Sequence, residues 1–233
     1  MNKRKSDTRI FLVRHGQPKQ HSGKIFLGQA DVPLSDLGKE EALAAANRLV
    51  KLDANPKHIY TSDLARAKET AEIVAGKFGV PVVPDKLFRE MAMGSWDGEL
   101  IEDIKNKFPG EYEKRGDDPR NYRTPGGENF YDLHGRVLRE FHRIFSEDFR
   151  GFQRGKFRGE GSPNCVSSIQ DDATFEVDEP GDLIIVAHLG VIVALTEELL
   201  STASDNKAGR FFPTGSVTEI DAPDWLWPER EES

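Results

Sequence analysis

The sequence predicts an α/β fold: a three-layer α/β/α sandwich with a mainly parallel central sheet, in which residues 1–233 form a single domain. Three observations lead there. Short, wholly apolar runs such as Phe11-Leu12-Val13 and Leu183-Ile184-Ile185-Val186-Ala187 have the pattern of strands buried on both faces. Between them lie longer stretches whose apolar residues recur every three to four positions, as in helices with one buried face. No internal repeat or obvious linker divides the chain, and strand and helix alternate as in βαβ units.

The first strand is expected at 9–13. After a loop rich in Gly, Pro and polar residues, Ser35 is placed to cap a helix over 36–50 with a buried stripe of Ala42, Ala45, Ala46 and Leu49. Ile59-Tyr60 reads as a strand from its position between Pro56 and a second helix. That helix is expected to be capped by Ser62, to bury Ala67, Ala71, Val74 and Phe78, and to end at Gly79. Residues 81–83 read as a short edge strand, and 99–108 as a short helix stopped by Pro109. The strongest helical period runs over 129–145, through Phe130, Leu133, Val137, Phe141 and Ile144. Residues 146–181 then show no clear period and exceed the usual length of a connection, so an insertion or lid is expected there. Its basic half (Arg150, Arg154, Lys156, Arg158) and acidic half (Asp171, Asp172, Glu176, Asp178, Glu179) could pair, cover the site or an interface, or form a solvated loop. A strand at 183–187, a helix over 191–200 and a last strand at 216–220 complete the series.

Composition narrows the function classes. With 37% hydrophobic and 31% charged residues, the chain has the make-up of a folded, soluble protein. Its 32 Lys plus Arg against 40 Asp plus Glu give a net charge of −8, which argues against a nucleic-acid partner because counterion release needs a basic face. No apolar run approaches the roughly 20 residues that cross a bilayer, and the basic residues 1–8 lead into no apolar signal segment. A cytoplasmic protein with no membrane partner is expected. The single cysteine, Cys165, has no intramolecular disulfide partner and supports no thiolate metal cage.

Two places stand out chemically. Strand 9–13 runs into Arg14-His15-Gly16, and strand 183–187 runs into His188-Leu189-Gly190. Residues just past the carboxyl ends of parallel strands line the ligand crevice, so both histidines are expected to face one site. A plainer reading gives each a local hydrogen-bonding role at its strand end, but the repeated placement favours the shared site. Zinc is not expected, since no third ligand stands at suitable spacing.

Six ordered motifs carry a family resemblance. They are Leu12-Val13-Arg14-His15-Gly16; Gly28 through Gly38; Tyr60 through Ala67 with Thr70-Ala71; Phe88-Arg89-Glu90 followed by Gly94-Ser95-Trp96-Asp97-Gly98; Pro125-Gly126-Gly127-Glu128; and Val186-Ala187-His188. In this order they resemble the histidine phosphatase superfamily, in its phosphoglycerate-mutase-like branch, over about 9–145 and 182–221. The resemblance implies phosphoryl transfer through a phosphohistidine with no metal or other cofactor. His15 is then the nucleophile, Arg14, Arg66 and His188 hold the transferred group, and Glu90 is the general acid and base. The chemistry suits these residue types. A neutral imidazole attacks phosphorus with one nitrogen while the other donates a hydrogen bond, guanidinium groups match phosphate oxygens, and a carboxyl group protonates a leaving alkoxide. Glu102 and Glu128 also stand in segments able to supply that acid.

The same resemblance makes Gly16, Gln17, His21, Gly28, Gln29 and Leu189 candidate phosphate or substrate contacts, although both glycines also read as turn residues. Trp96 and Phe88 read equally as pocket or core. Gln17 stands where mutases of the branch have Glu, His21 stands near their Asn, and the arginine pair that follows their acid segment is missing. Leu189 stands where the family usually has Gly. These departures favour hydrolysis of a small phosphate monoester over 2,3-bisphosphoglycerate-dependent phosphoglycerate mutase activity, with a non-catalytic phosphate-binding protein as a third reading. Gln17 and Gly28-Gln29 faintly resemble α-ribazole phosphatases. A monomer or homodimer is expected.

Overall fold

The apolar runs that read as doubly buried strands, β1 (Arg9–Arg14) and β4 (Asp182–Ala187), pair in parallel at the middle of a five-stranded sheet. The computed structural model describes residues 8–19, 23–154, 181–200, 212–223 and 226, with the side chains of 148–154 outside that description. The remaining elements are α1 (Asp36–Lys51), β2 (Pro56–Ser62), α2 (Ala65–Phe78), β3 (Val82–Asp85), α3 (Ile101–Lys107), α4 (Pro109–Asp117), α5 (Phe130–Arg154), α6 (Leu189–Leu199) and β5 (Val217–Asp221). Short 3-10 turns stand at Lys86–Phe88 and Gly94–Trp96. Strand order is β3-β2-β4-β1-β5, with β5 alone antiparallel, so the sheet is mainly parallel as expected.

Alternation along the central strands builds the layers. Ile10, Leu12, Leu183 and Ile185 face one side and pack with Leu133, Val137 and Phe141 of α5 and Ile192 and Leu195 of α6. Phe11, Val13, Ile184 and Val186 face the other side, against Ala45, Ala46 and Leu49 of α1 and Ala71 and Val74 of α2. Each large apolar side chain fully buried here contributes about 1.5–3 kcal/mol. The helix that follows β1 therefore lies on one face, and the helix that follows β4 lies on the other. Their divergence opens a crevice at the carboxyl ends of β1 and β4, the usual position of a ligand site in such sheets.

Several boundaries differ from the sequence expectation. Ser35 caps α1 as expected, its Oγ accepting from the Gly38 N–H at 3.0 Å. The second helix is capped at Leu64 rather than at Ser62. The Ala65 N–H donates instead to Asp31 Oδ1 at 2.7 Å, a cap supplied from a distant loop. Pro109 follows the first short helix but also opens α4, where its missing N–H is no loss. The long helix continues to Arg154, so the first nine residues of the expected insertion, 146–154, are helical, and its remainder up to 180 lies outside the described residues. An Asn129–Asp132 pair starts α5, each side chain accepting from the other's backbone N–H at 3.0 and 2.9 Å.

Phe141 is fully buried where α5 meets the sheet. Its replacement by Ala should lower the unfolding free energy by about 3–5 kcal/mol, measured by urea denaturation followed by circular dichroism.

Candidate active site

The in-register pairing of Arg14 with Ala187 carries the chain ends of β1 and β4 to the same level, which places His15 beside His188. Their ring centroids are 5.0 Å apart, and both rings are buried. His15 Nδ1 lies 2.7 Å from the Gly16 carbonyl oxygen. A carbonyl only accepts, so Nδ1 carries the proton and Nε2 keeps its lone pair when the ring is neutral. Burial first, then Arg66 and Arg14, push the His15 pKa down to about 3, against the weaker opposing effect of the Gly16 carbonyl. Burial and the same arginines hold His188 well below its ordinary value as well.

Arg66 is fully buried in the first turn of α2. Its terminal nitrogens donate to the carbonyls of Gly28 at 2.7 Å and Ala30 at 2.8 Å. Two of five N–H groups are spent on backbone, and Nε has no hydrogen-bond partner among the described residues. Arg14 donates to the Phe212 carbonyl at 2.5 Å, and its Nε is likewise buried without a partner. Neither ring nitrogen of His188 has one. Unsatisfied buried polar atoms are rare; besides four Ser and Thr hydroxyls, those among the described residues are these four nitrogens, on side chains that neighbour or act on the His15 ring, whose tautomer leaves Nε2 with its lone pair. The arrangement suits an anion bearing several oxygen acceptors.

Glu90 completes the group. One carboxylate oxygen accepts from the Met91 N–H at 2.8 Å and the other from the Gly190 N–H at 3.2 Å, in the first turn of α6, where the helix dipole favours a negative charge. The Glu90 carbonyl receives both Gln29 Nε2 at 3.0 Å and an Arg136 terminal nitrogen at 2.9 Å. Next to it, Arg89 and Asp63 form a bidentate pair with two 2.6 Å contacts. The rival carboxylates are placed otherwise. Glu128 is clasped by Arg136 at 2.7 and 2.9 Å and accepts from the Ala92 N–H; these partners outweigh burial and hold its pKa below the ordinary value. Glu102 lies in the first turn of α3.

The structure thus brings together Arg14, His15, Arg66, Glu90 and His188, while the other sequence candidates act mainly on backbone. Gly16 has no room for a side chain, because a Cβ would lie 2.1 Å from the Gly38 carbonyl oxygen. Gln17 is engaged by Ser35, whose backbone N–H and Oγ both reach its carbonyl and whose Oγ also reaches its side-chain oxygen. Gly28 turns with φ +44° and presents its carbonyl to Arg66. Gln29 holds the backbone of Glu90, and Leu189 is 38% exposed at the start of α6. His21 lies outside the described residues. Sequence reasoning missed Arg136 and Asp97. Asp97 Oδ1 accepts from the Gln29 and Met93 N–H groups at 2.9 and 3.0 Å, tying the Gly28 turn to the Glu90 segment. Gln29 is remote from Asp97 in sequence, as Glu90 is from Arg136, and the only local signal was the position of Asp97 inside a motif. Among the described residues, no group of three or more His, Cys, Asp or Glu side chains is placed to hold a metal ion.

This geometry has two measurable outcomes. A Cβ at Gly190 would stand 2.4 Å from Glu90 Oε1, so Gly190→Ala should displace the carboxylate, lower turnover by about tenfold or more, and leave the melting temperature within a few degrees. The His15 ring is held near pKa 3 in the fold against about 6.5 when unfolded, so the folded state binds fewer protons between these values and loses stability as pH falls through that window. Between pH 7.5 and pH 5 this group should account for about 2 kcal/mol of lost stability, read as the amount by which His15→Gln flattens the pH dependence of urea unfolding.

Comparison with known proteins places this geometry. The family model of the histidine phosphatase superfamily (branch 1) matches residues 10–150. A glucosyl-3-phosphoglycerate phosphatase from Mycolicibacterium vanbaalenii is 34% identical over 198 residues, covering 85% of this chain and 76% of that protein. A probable phosphoglycerate mutase, GpmB, from Salmonella paratyphi C is 33% identical over 128 residues, covering 55% of this chain and 59% of that protein. The crystal structure of a putative alpha-ribazole-5'-P phosphatase from Escherichia coli shares the fold, with a TM-score of 0.71 at 22% identity over 94% of this chain and 92% of that one. The two-histidine crevice, its arginines and the match over residues 10–150 agree, and the chain belongs to the histidine phosphatase superfamily, branch 1.

Proposed function

We propose that the protein is a phosphomonoesterase that hydrolyses a small phosphorylated metabolite through a phosphohistidine on His15. The observation that carries this reading is the set of unpartnered buried donors, Arg14 Nε, Arg66 Nε and the His188 ring, gathered about an imidazole whose Nδ1 is occupied by Gly16. In the first step Nε2 of His15 attacks phosphorus as the P–O bond to the leaving group breaks, and the Glu90 carboxyl gives that oxygen its proton. In the second, Glu90 takes a proton from water as the water oxygen attacks phosphorus; the P–N bond breaks and inorganic phosphate leaves. Arg14 and Arg66 supply fixed positive charge against the phosphoryl oxygens, and neutral His188 donates a further hydrogen bond. The mechanism calls on no metal or organic cofactor.

Hydrolysis is favoured over a mutase by the named phosphatase relative, which matches most of the chain, and by the departures at Gln17 and after the acid segment. A sugar-linked phosphoglycerate is one member of the substrate class we infer. We further infer a cytoplasmic enzyme, monomeric or homodimeric, whose partner is the small-molecule phosphate monoester rather than nucleic acid or membrane; among the described residues no helix is long and apolar enough to cross a membrane.

Purified protein assayed with p-nitrophenyl phosphate and a panel of alkyl phosphate metabolites, in the presence of EDTA, should release phosphate. His15→Ala should lower turnover by more than about 10³-fold, and turnover retained by that variant overturns the mechanism. Glu90→Gln should lose about 10²- to 10⁴-fold on alkyl phosphates but less on p-nitrophenyl phosphate, whose leaving group needs little protonation. Equal losses on both substrates contradict the acid role. Interconversion of 3- and 2-phosphoglycerate faster than phosphate release indicates a mutase instead.

A further inference from the structure

The loop that carries the nucleophile is fixed from two sides by a carboxylate that takes no part in the chemistry above. Glu41 lies on the second turn of α1, four residues beyond the helix's exposed Leu37. Its Oε2 accepts from the Gln17 N–H at 2.7 Å, two residues after His15. Its Oε1 accepts from the Thr214 hydroxyl at 3.0 Å. Thr214 stands in the segment that enters β5, and its neighbours hold the other side of the site. Phe212 gives its carbonyl to the Arg14 guanidinium at 2.5 Å, and the Gly215 N–H is shared between the carbonyls of Arg14 at 3.1 Å and His15 at 3.2 Å. One side chain on a rigid helix therefore joins the segment after the nucleophile to the segment that grips the phosphate-binding arginine.

The packing leaves no slack at this junction. The α1 backbone at Gly38 is pressed against Gly16 and Gln17, and a Cβ at Gly215 would lie 2.8 Å from the Glu41 Cβ. Charge-assisted hydrogen bonds to a backbone N–H and to a hydroxyl are among the stronger local restraints available to a loop. The restraint bears on the reacting geometry because misplacement by about 1 Å costs on the order of 10²-fold in rate.

We propose that Glu41 is a positioning residue, whose bridge from Gln17 to Thr214 sets the placement of the Arg14 guanidinium relative to the His15 ring and so governs transition-state binding at the phosphate site. This rests on the phosphatase reading given above. The bridge predicts a specific pattern of losses. Glu41→Ala should lower kcat/KM for p-nitrophenyl phosphate by about 10- to 100-fold and weaken inhibition by orthovanadate, a mimic of the pentacoordinate phosphoryl group, by a similar factor. Thr214→Val, which removes one arm only, should give a smaller loss of both, and should add nothing when combined with Glu41→Ala. Glu41→Gln, which keeps an acceptor for one arm, should recover part of the loss.

A merely structural Glu41 would lower the melting temperature while leaving kcat/KM and vanadate inhibition within about twofold at 25 °C, and that result overturns the proposal. If Glu41→Ala does not fold, Thr214→Val and Glu41→Gln decide alone: both within twofold of the wild type on both readouts likewise overturns it. Failure of the wild-type protein to turn over any phosphate monoester counts instead against the phosphatase reading, so the two failures are distinguishable.

Discussion

Burying the Arg66 guanidinium is the demand around which the loops of this site are arranged. A charge removed from water costs several kcal/mol unless its donors are satisfied, and among the described residues no carboxylate pairs directly with this one. Burial lowers its pKa to about 10, against the opposing fields of Glu90, Asp31 and Asp97. Two carbonyls of one turn, Gly28 and Ala30, take the place of an acid. That turn is kept by Asp97 through the Gln29 N–H, and its next residue, Asp31, caps the helix that carries Arg66. Thr70, one helical turn on, donates to the Arg66 carbonyl and accepts from the Gly16 N–H, which joins the same network to the loop that follows His15. A carboxylate partner would have neutralised the cation; dipoles orient it while leaving its charge for a ligand.

Glu90 is held by the same device, with dipoles of the opposite sense. Glu90 sits where backbone N–H groups of Met91 and Gly190 converge, so its carboxylate is oriented by partial charges too, and its own carbonyl is pinned by Gln29 and Arg136. Two of the nearby cations are committed elsewhere, Arg136 to Glu128 and Arg89 to Asp63, while Arg14 and Arg66 act on Glu90 through space without an ion-pair contact among the described residues. The site thus holds two cations and one carboxylate by hydrogen bonds that do not cancel their charge. The overall charge of −8 opposes long-range attraction of any anion, so these short-range donors, not steering, are what the site offers one.

Much of the fold was legible because β1, β4, α1 and α2 bury regular patterns: Phe11 to Val13, Ile184 to Val186, and the alanine stripes of the helices. Strand ends were informative for the same reason, since parallel pairing of two such runs carries the residues just beyond each, His15 and His188, into one crevice. Legibility failed where partners are distant. The cap of α2 comes from Asp31, the support of Glu90 from Gln29 and Arg136, and the grip on Arg14 from Phe212. None of these leaves a period or a spacing in the sequence. Gln29 stands inside a recognisable motif and Gln17 directly after one, yet the bonds their side chains make are to the Glu90 backbone and to Ser35 rather than to other candidate site side chains. The helical continuation of α5 past Phe145 was hidden because Ser146, Gly151 and the charges among them weaken the apolar period without stopping the helix.

Strand β5 enters the sheet beside β1, so the residues leading into it close the ring around Arg14 from nearly 200 positions away. Synthesis on the ribosome delivers Arg14 and His15 nearly 200 residues before the segment that retains them. Until residue 215 has emerged, a nascent chain holds His15 without the contacts that fix Arg14 beside it, so the two-histidine site is completed by that distant segment rather than by the residues around His15.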